Sequence, residues 1–511
     1  MLAAFVLALL AAFGLAAVSA EEQTGVILTH LPDKASVEYK ALRDVGAPIG
    51  GRDLAMTGAE MWTVPEAHYA ALRDAAMKQG VAVHRLGDSA TPEVATVMSA
   101  GSMTPAQQEM MHKTMESKAA VGMSMMKLPD PATMEYMLTE RMNAPAGSAP
   151  QTVLIPLNDK LTVTARRTEL SKTDDGYIWR GVIDETGEPI TLLWWPTGRL
   201  AGTVMYKGHA YVIKNLEGTM HGMLEFSPDK MPPDHGAASK ETMTKMGMHS
   251  DPLVRDGDAS MMLPAQAQPP PMKPAPAEGA PKEATINLIV AYTKKAASHY
   301  TDIVKDMIDV AIAQTNQSFR DSGIDNVHVK LVHAYETDYV EKGSHFDHVY
   351  RFRNKGDGYM DEIHDLRAKY GADVAVLVVD DPMGCGLSIR VAAEAPDAFA
   401  AIHHECAATM YSLAHEIGHL IGARHDRALD DSTQPFPYGH GFVHGKEWRT
   451  MMSYMESCDG CPRRPIWSSP DVKVDGVPAG DAETNNAKVI RENAVRVAAF
   501  HTQLTAPAKR Q

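Results

Sequence analysis

Residues 411–426 read YSLAHEIGHLIGARHD, and this stretch decides how the rest of the chain is read. On a helix, His415 and His419 are four apart and project from one face, so both imidazoles can meet a single cation. Glu416 follows one position on, where its carboxylate reaches a water beside that cation rather than the cation itself. Gly422 is suited to end the helix in a left-handed turn, after which His425 comes in as a third nitrogen. Three nitrogens and one open position describe a catalytic centre, since a structural site would be closed by a fourth protein ligand. Zn2+ is the ion expected for imidazoles where neither thiolates nor an all-oxygen shell is on offer. Glu416 then takes a proton from the attacking water, and the reaction class is amide hydrolysis. A bare H-E-x-x-H arises by chance in unrelated helices, but here Gly422, His425 and Asp426 coincide with it. His403, His404, His440 and His444 read as surface or satisfied core histidines.

Around this motif, strands are expected over 286–292, 328–336, 372–379 and 386–391. Helices are expected over 296–320, 359–370 and about 409–421. Strands alternating with helices imply an α/β or α+β fold on a mainly parallel sheet. All four cysteines, Cys385, Cys406, Cys458 and Cys461, fall in this part of the chain. An even number in an exported chain suggests two disulfides, and of the three possible pairings Cys385–Cys406 with Cys458–Cys461 is the expected one.

Upstream the pattern changes. Residues 1–20 are an apolar run ending in Val18-Ser19-Ala20, which reads as a cleaved export signal even though no Lys or Arg stands near Met1. A small strand–helix–strand piece is expected over 59–85, and a methionine-rich stretch over 98–142 reads as helix or disorder. Short alternating runs between Asp-Gly, Thr-Gly and Lys-Gly turns make 150–227 an antiparallel β unit. Proline, alanine and methionine then dominate 228–283, a linker. The expected division is signal 1–20, pro-region 21–145, β-rich prodomain 146–227, linker 228–283, catalytic domain 284–505 and tail 506–511. With 511 residues and a net charge of -15, the chain has room for several cores and lacks the basic surface that nucleic acid requires. No stretch beyond the signal is long and apolar enough to span a bilayer.

The order His415-Glu416-x-x-His419-x-x-Gly422-x-x-His425-Asp426, followed by Arg449-Thr450-Met451-Met452-Ser453-Tyr454, resembles the metzincin zinc metallopeptidases. Within them the chain is most similar to the adamalysin-like bacterial enzymes, particularly the peptidyl-Asp metalloendopeptidase group. The likeness rests also on Gly384-Cys385-Gly386-Leu387, Tyr438-Gly439-His440-Gly441, Trp448-Arg449-Thr450, Cys461-Pro462-Arg463 and Trp467-Ser468-Ser469-Pro470, and covers about 284–505. It implies a metzincin-like catalytic domain behind a β-rich propeptide. Met452, with Met451 as competitor, would form a turn beneath the zinc, and Tyr454 would reach the metal or the oxyanion. Protein or peptide substrates would lie extended along an edge strand, for which 386–391 is the candidate. Asp426 would anchor the local turn.

The same resemblance implies cleavage on the amino side of Asp, which asks for a cation in the pocket after the scissile bond. Arg463 and Arg464 stand where the chain after the Met turn would wall that pocket, Arg463 ahead, with Arg424, Lys446 and Arg449 as rivals. Many relatives are kept latent by a prodomain cysteine, yet every cysteine here is C-terminal of Gly384. Inhibition by the chain's own propeptide must use another ligand or steric cover; Met220-His221-Gly222-Met223 and Met246-Gly247-Met248-His249 are candidates, read in the first place as apolar filler. The competing function is an exported Met/His-rich metal-binding protein on a non-catalytic scaffold, which would leave Glu416 unexplained.

Overall fold

The computed structural model describes residues 22–86, 93–98, 103–140, 151–234 and 283–505. The export signal, the tail and nearly all of the linker lie outside them. The described residues form two compact units, one within Met1–Pro92 and Pro129–Ala146, the other within Glu93–Leu128 and Gly147–Gln511. Among the described residues no helix is long and apolar enough to cross a membrane.

The first unit is a four-stranded antiparallel sheet with the order Gly50–Asp53, Glu60–Pro65, Gln23–Thr29, Ala82–Arg85. Helices Val37–Gly46 and Glu66–Lys78 cover it, burying Val26, Leu28, Trp62, Val64 and Leu72. The strand–helix–strand piece expected over 59–85 is present.

In the second unit, a nine-stranded antiparallel sheet takes in seven strands from Thr152–Pro156 to Met220–Phe226. The methionine-rich stretch expected as helix or disorder does form helices Pro105–Thr114 and Pro131–Thr139, but Ala120–Lys127 between them is a strand and joins this sheet together with Thr96–Met98. Met125 and Met126 are buried there, because pairing with Met220–Phe226 supplies a partner that local propensity does not reveal. Residues 93–128 therefore belong with the β-rich region, and the boundary expected at 145 cuts across this unit.

The five-stranded sheet that follows has the order Val327–Thr337, Ala284–Thr293, Val374–Val379, Phe399–His403, Gly386–Ser388. The first four strands are parallel and the last is antiparallel. Val374–Val379 is buried throughout, as a central parallel strand covered on both faces must be. The single helix expected over 296–320 is broken. Lys294–Ala297 stops, and Asp302 accepts from the N–H groups of Val304 and Lys305, starting a π-helical turn Val304–Ile308 that runs on into Asp309–Asp321.

The β-rich sheet packs on this domain. Leu193, Trp195 and Ala201 share one core with Ile303, Met307, Val310 and Ala311, each large buried side chain contributing roughly 1.5–3 kcal/mol. Gln314 donates to Thr203 Oγ1 at 2.7 Å, and Arg199 pairs with the buried Asp306 at 2.6 Å.

Candidate active site and metal centre

Helix Ser412–Ile421 carries the motif, and every one of its residues is buried. Leu413, Ile417, Leu420 and Ile421 face the core on the helical repeat, which leaves His415, Glu416 and His419 on another face. Gly422 ends the helix with φ at 136°; a Cβ there would meet Phe436 at 2.6 Å, so the turn requires glycine. The returning chain is held by Arg424 N–H on the Gly439 carbonyl and by His440 Nδ1 at 2.9 Å from the His425 carbonyl. His440 is thus a satisfied core residue, as expected.

The three imidazoles converge. Nε2 of His425 lies 3.2 Å from Nε2 of His415 and 2.8 Å from Nε2 of His419. Their outer nitrogens face carbonyls, His415 Nδ1 that of Met451 at 3.1 Å and His419 Nδ1 that of Ala423 at 2.9 Å. These contacts put the protons of His415 and His419 on Nδ1 and leave Nε2 lone pairs aimed at one point, which is repulsive unless a cation sits between them. Burial pulls His419 down to about 4, so its imidazole is neutral and able to ligate at ordinary pH. The residues therefore fit an imidazole-bound divalent ion. A second group, His299, Asp380 and His404, also brings ligand atoms together, but Lys295 sits 3.2 Å from the same Asp380 carboxylate. That ammonium already supplies the positive charge.

Glu416 is 1% exposed. Burial pushes its carboxyl up to about 8, a hydrogen bond from Ser388 opposes this, the charge of Asp234 adds to it and Arg463 opposes it. Gly386 makes room for the carboxylate, since a Cβ there would stand 2.6 Å from Oε1. The edge strand is shorter than the expected 386–391. After Ser388 the chain leaves the sheet, and the N–H groups of Ala392 and Ala393 cap the carbonyls of His419 and Leu420.

Asp426 accepts from Tyr454 N–H at 3.0 Å and from Ser457 Oγ at 2.8 Å, so it fastens the end of the motif to the following loop. Tyr454 packs its ring 4.3 Å from that of His425. Met452 is fully buried, with its sulfur against Gly418. The disulfides are Cys385–Cys406 and Cys458–Cys461, the expected pairing.

Arg463 comes to the site and Arg464 does not. Arg463 Nη2 lies 2.9 Å from Asp234 Oδ1, with further bonds to the carbonyls of Met410 and Ser453. Arg464 turns outward to Asp475 at 3.6 Å. The second guanidinium near Asp234 is Arg449, 4.0 Å from Oδ2; burial pulls it down to about 10, and Arg463 beside it adds to the effect. Arg424 pairs with Asp430 and Lys446 with Asp459, accounting for the other rivals. Sequence reading missed Asp234 and Ser388, which carry no motif of their own. Among the proposed latency ligands, His221 is enclosed by Leu200 N–H, Asn215 and the Thr219 carbonyl. Met246–His249 lie outside the described residues.

Comparison with known proteins follows the same line. The family model described as Metallo-peptidase family M12 matches residues 282–464. A peptidyl-Asp metalloendopeptidase of Xanthomonas campestris pv. campestris is 36% identical over 303 residues, covering 59% of this chain and 67% of the relative. Proteins of the same name from two strains of Stenotrophomonas maltophilia are 32% and 31% identical, covering 76% and 75% of this chain and 92% and 90% of their own lengths.

Proposed function

Since this chain belongs to the M12 metallopeptidases, in the group of the peptidyl-Asp metalloendopeptidases, and is a metalloendopeptidase, we propose that it is the exported zymogen of a zinc enzyme that cuts peptides before aspartate. The observation that carries this reading is the convergence of three imidazole Nε2 atoms next to the buried carboxylate of Glu416. His415, His419 and His425 would hold the ion. Zinc held there supplies Lewis acidity to a peptide carbonyl and to water. Glu416, raised by burial but brought back toward ionisation by a cation beside it, takes the proton of the attacking water and passes it to the leaving amine. Ser388 holds that carboxylate in place, and Tyr454, whose ring packs on that of His425, would donate toward the oxyanion.

Two features support the finer points. A guanidinium that grips a carboxylate at Asp234 suits a pocket for an acidic side chain, with Arg463 as its reader and Arg449 at its side. Arg464 is dropped from that role. Two disulfides call for an oxidising compartment, in keeping with the apolar run at 1–20. On this reading the chain is a metzincin-like catalytic domain behind a β-rich propeptide.

The decisive experiment pairs metal analysis with peptide hydrolysis for Glu416→Ala. Zinc content should stay near one per chain, while turnover after activation falls by roughly 10²–10⁴. Undiminished turnover removes Glu416 from the mechanism.

A further inference from the structure

We propose that Asp234 is a tethered stand-in for the substrate's acidic side chain and keeps the zymogen silent by occupying the guanidinium that would read the substrate. This rests on the reading of Arg463 as the acidic-side-chain pocket, and it supplies the latency device that a prodomain without cysteine otherwise lacks.

Three observations converge on it. Asp234 is 9% exposed although it lies at the end of the β-rich domain, and its carboxylate sits between Arg463 at 2.9 Å and Arg449 at 4.0 Å. A carboxylate between two guanidiniums, all three side chains 5% exposed or less, is a built subsite, and its present occupant comes from the chain itself. Secondly, the backbone meets the start of the strand that would receive a substrate. Cys385 N–H donates to the Pro233 carbonyl at 2.8 Å and Gly386 N–H to the Asp234 carbonyl at 3.2 Å. Gly386 is the residue against which Glu416 is pressed, so Asp234 is one hydrogen bond from the strand residue touching the catalytic carboxylate. Thirdly, the segment is delivered there. A 3-10 turn, Pro228–Lys230, follows the last strand of the sheet, and Met231 packs with Phe226, Leu224 and the Cys385–Cys406 bridge.

The occupant resists its own enzyme for a visible reason. Cleavage before Asp234 would require attack on the Pro233 carbonyl, and that oxygen is committed to the Cys385 N–H. Tethering makes the competition intramolecular, so a free peptide bearing Asp meets a high effective concentration of the internal one.

The test uses the full-length chain, verified as uncut, with a quenched peptide containing one Asp. Asp234→Ala and Asp234→Asn should hydrolyse it at least about tenfold faster than the wild-type precursor, because a buried charge pair has been removed from the docked segment. Asp234→Glu, which keeps the carboxylate, should stay silent. Folded Asp234→Ala and Asp234→Asn precursors as silent as wild type would overturn the proposal. A second arm does not depend on folding of any variant: an amidated peptide copying residues 231–234 should inhibit the proteolytically activated wild-type chain, and the same peptide carrying alanine in place of its aspartate should not. Equal inhibition by both peptides also overturns it. Activated wild type that shows no preference for acidic peptides defeats the pocket reading itself, a failure distinguishable from a precursor that prefers Asp once activated yet is indifferent to Asp234.

Discussion

The hydroxyl of Ser388 lies 2.5 Å from Oε2 of Glu416 and 3.0 Å from its carbonyl oxygen, so one donor ties the edge strand to the motif helix. The carboxylate has little freedom of its own inside the protein, and this contact sets where its oxygens stand. Ser388→Ala should lower kcat about tenfold, the equivalent of one hydrogen bond to a charged group, with KM and zinc content nearly unchanged. Steady-state kinetics on the activated enzyme decide it. A wild-type kcat would show that packing against Gly386 positions Glu416 without help.

Asp426 works at one remove from the proposed metal ligands. Its two oxygens hold Tyr454 N–H and Ser457 Oγ, and the His425 carbonyl beside it is held by His440. Asp426→Ala should lower stability by about 1–3 kcal/mol, because a buried N–H is left without its acceptor, and weaken zinc retention about 10–100-fold as the third imidazole loosens. Chelator competition followed by metal analysis measures the second effect. Full retention would confine Asp426 to folding alone.

These roles were unequally legible in the sequence. His415, Glu416 and His419 could be read because their relationship is the helical repeat, a local property, and His425 because a glycine marks the turn that returns it. The contact between Asp234 and Arg463 joins two elements far apart in the chain, and no periodicity encodes it. Adjacency left Arg463 and Arg464 as alternatives, with Arg463 ahead. Arg463 sits in a bridge with Arg449, and successive side chains of extended backbone point to opposite sides, which sends Arg464 to Asp475 and brings Arg449 in. The methionine-rich strand Ala120–Lys127 was hidden for a related reason, since its β character comes from the sheet it joins. The break at Asp302 was missed because side-chain capping outweighs a favourable apolar repeat there.

His221 gives the precursor a pH dependence. Its Nε2 accepts from Leu200 N–H at 3.0 Å, which requires the neutral ring, and burial pulls its pKa down to about 4 from 6.5. A histidine depressed on folding stabilises the fold above its unfolded pKa and loses that contribution as pH falls toward the folded one. Stability should therefore decline between about pH 6.5 and 4, by up to about 3 kcal/mol at about 1.4 kcal/mol per unit. Melting curves at pH 7 and pH 4.5 should show a large drop for wild type and a smaller one for His221→Gln, which starts lower at pH 7. Equal drops would assign acid sensitivity to other groups.

Cutting the chain and freeing the site should be separate events. Activation cleavage is expected in the proline-rich linker, between about 228 and 284, and all of that stretch from residue 235 on lies after Asp234 in the chain. A cut there leaves Asp234 attached to the β-rich domain, which still holds the catalytic domain through the shared core around Trp195 and Ile303, the Gln314–Thr203 hydrogen bond and the Arg199–Asp306 pair. The nicked protein should elute from a sizing column as one complex with low activity, and activity should appear only as the prodomain is digested or dissociates. Arg199→Ala, which leaves Asp306 buried without its guanidinium, should shorten the delay between nicking and activity without altering the final rate. Full activity at the moment of the cut, with the prodomain still bound, would mean that the domain contact holds no inhibitory segment in the cleft.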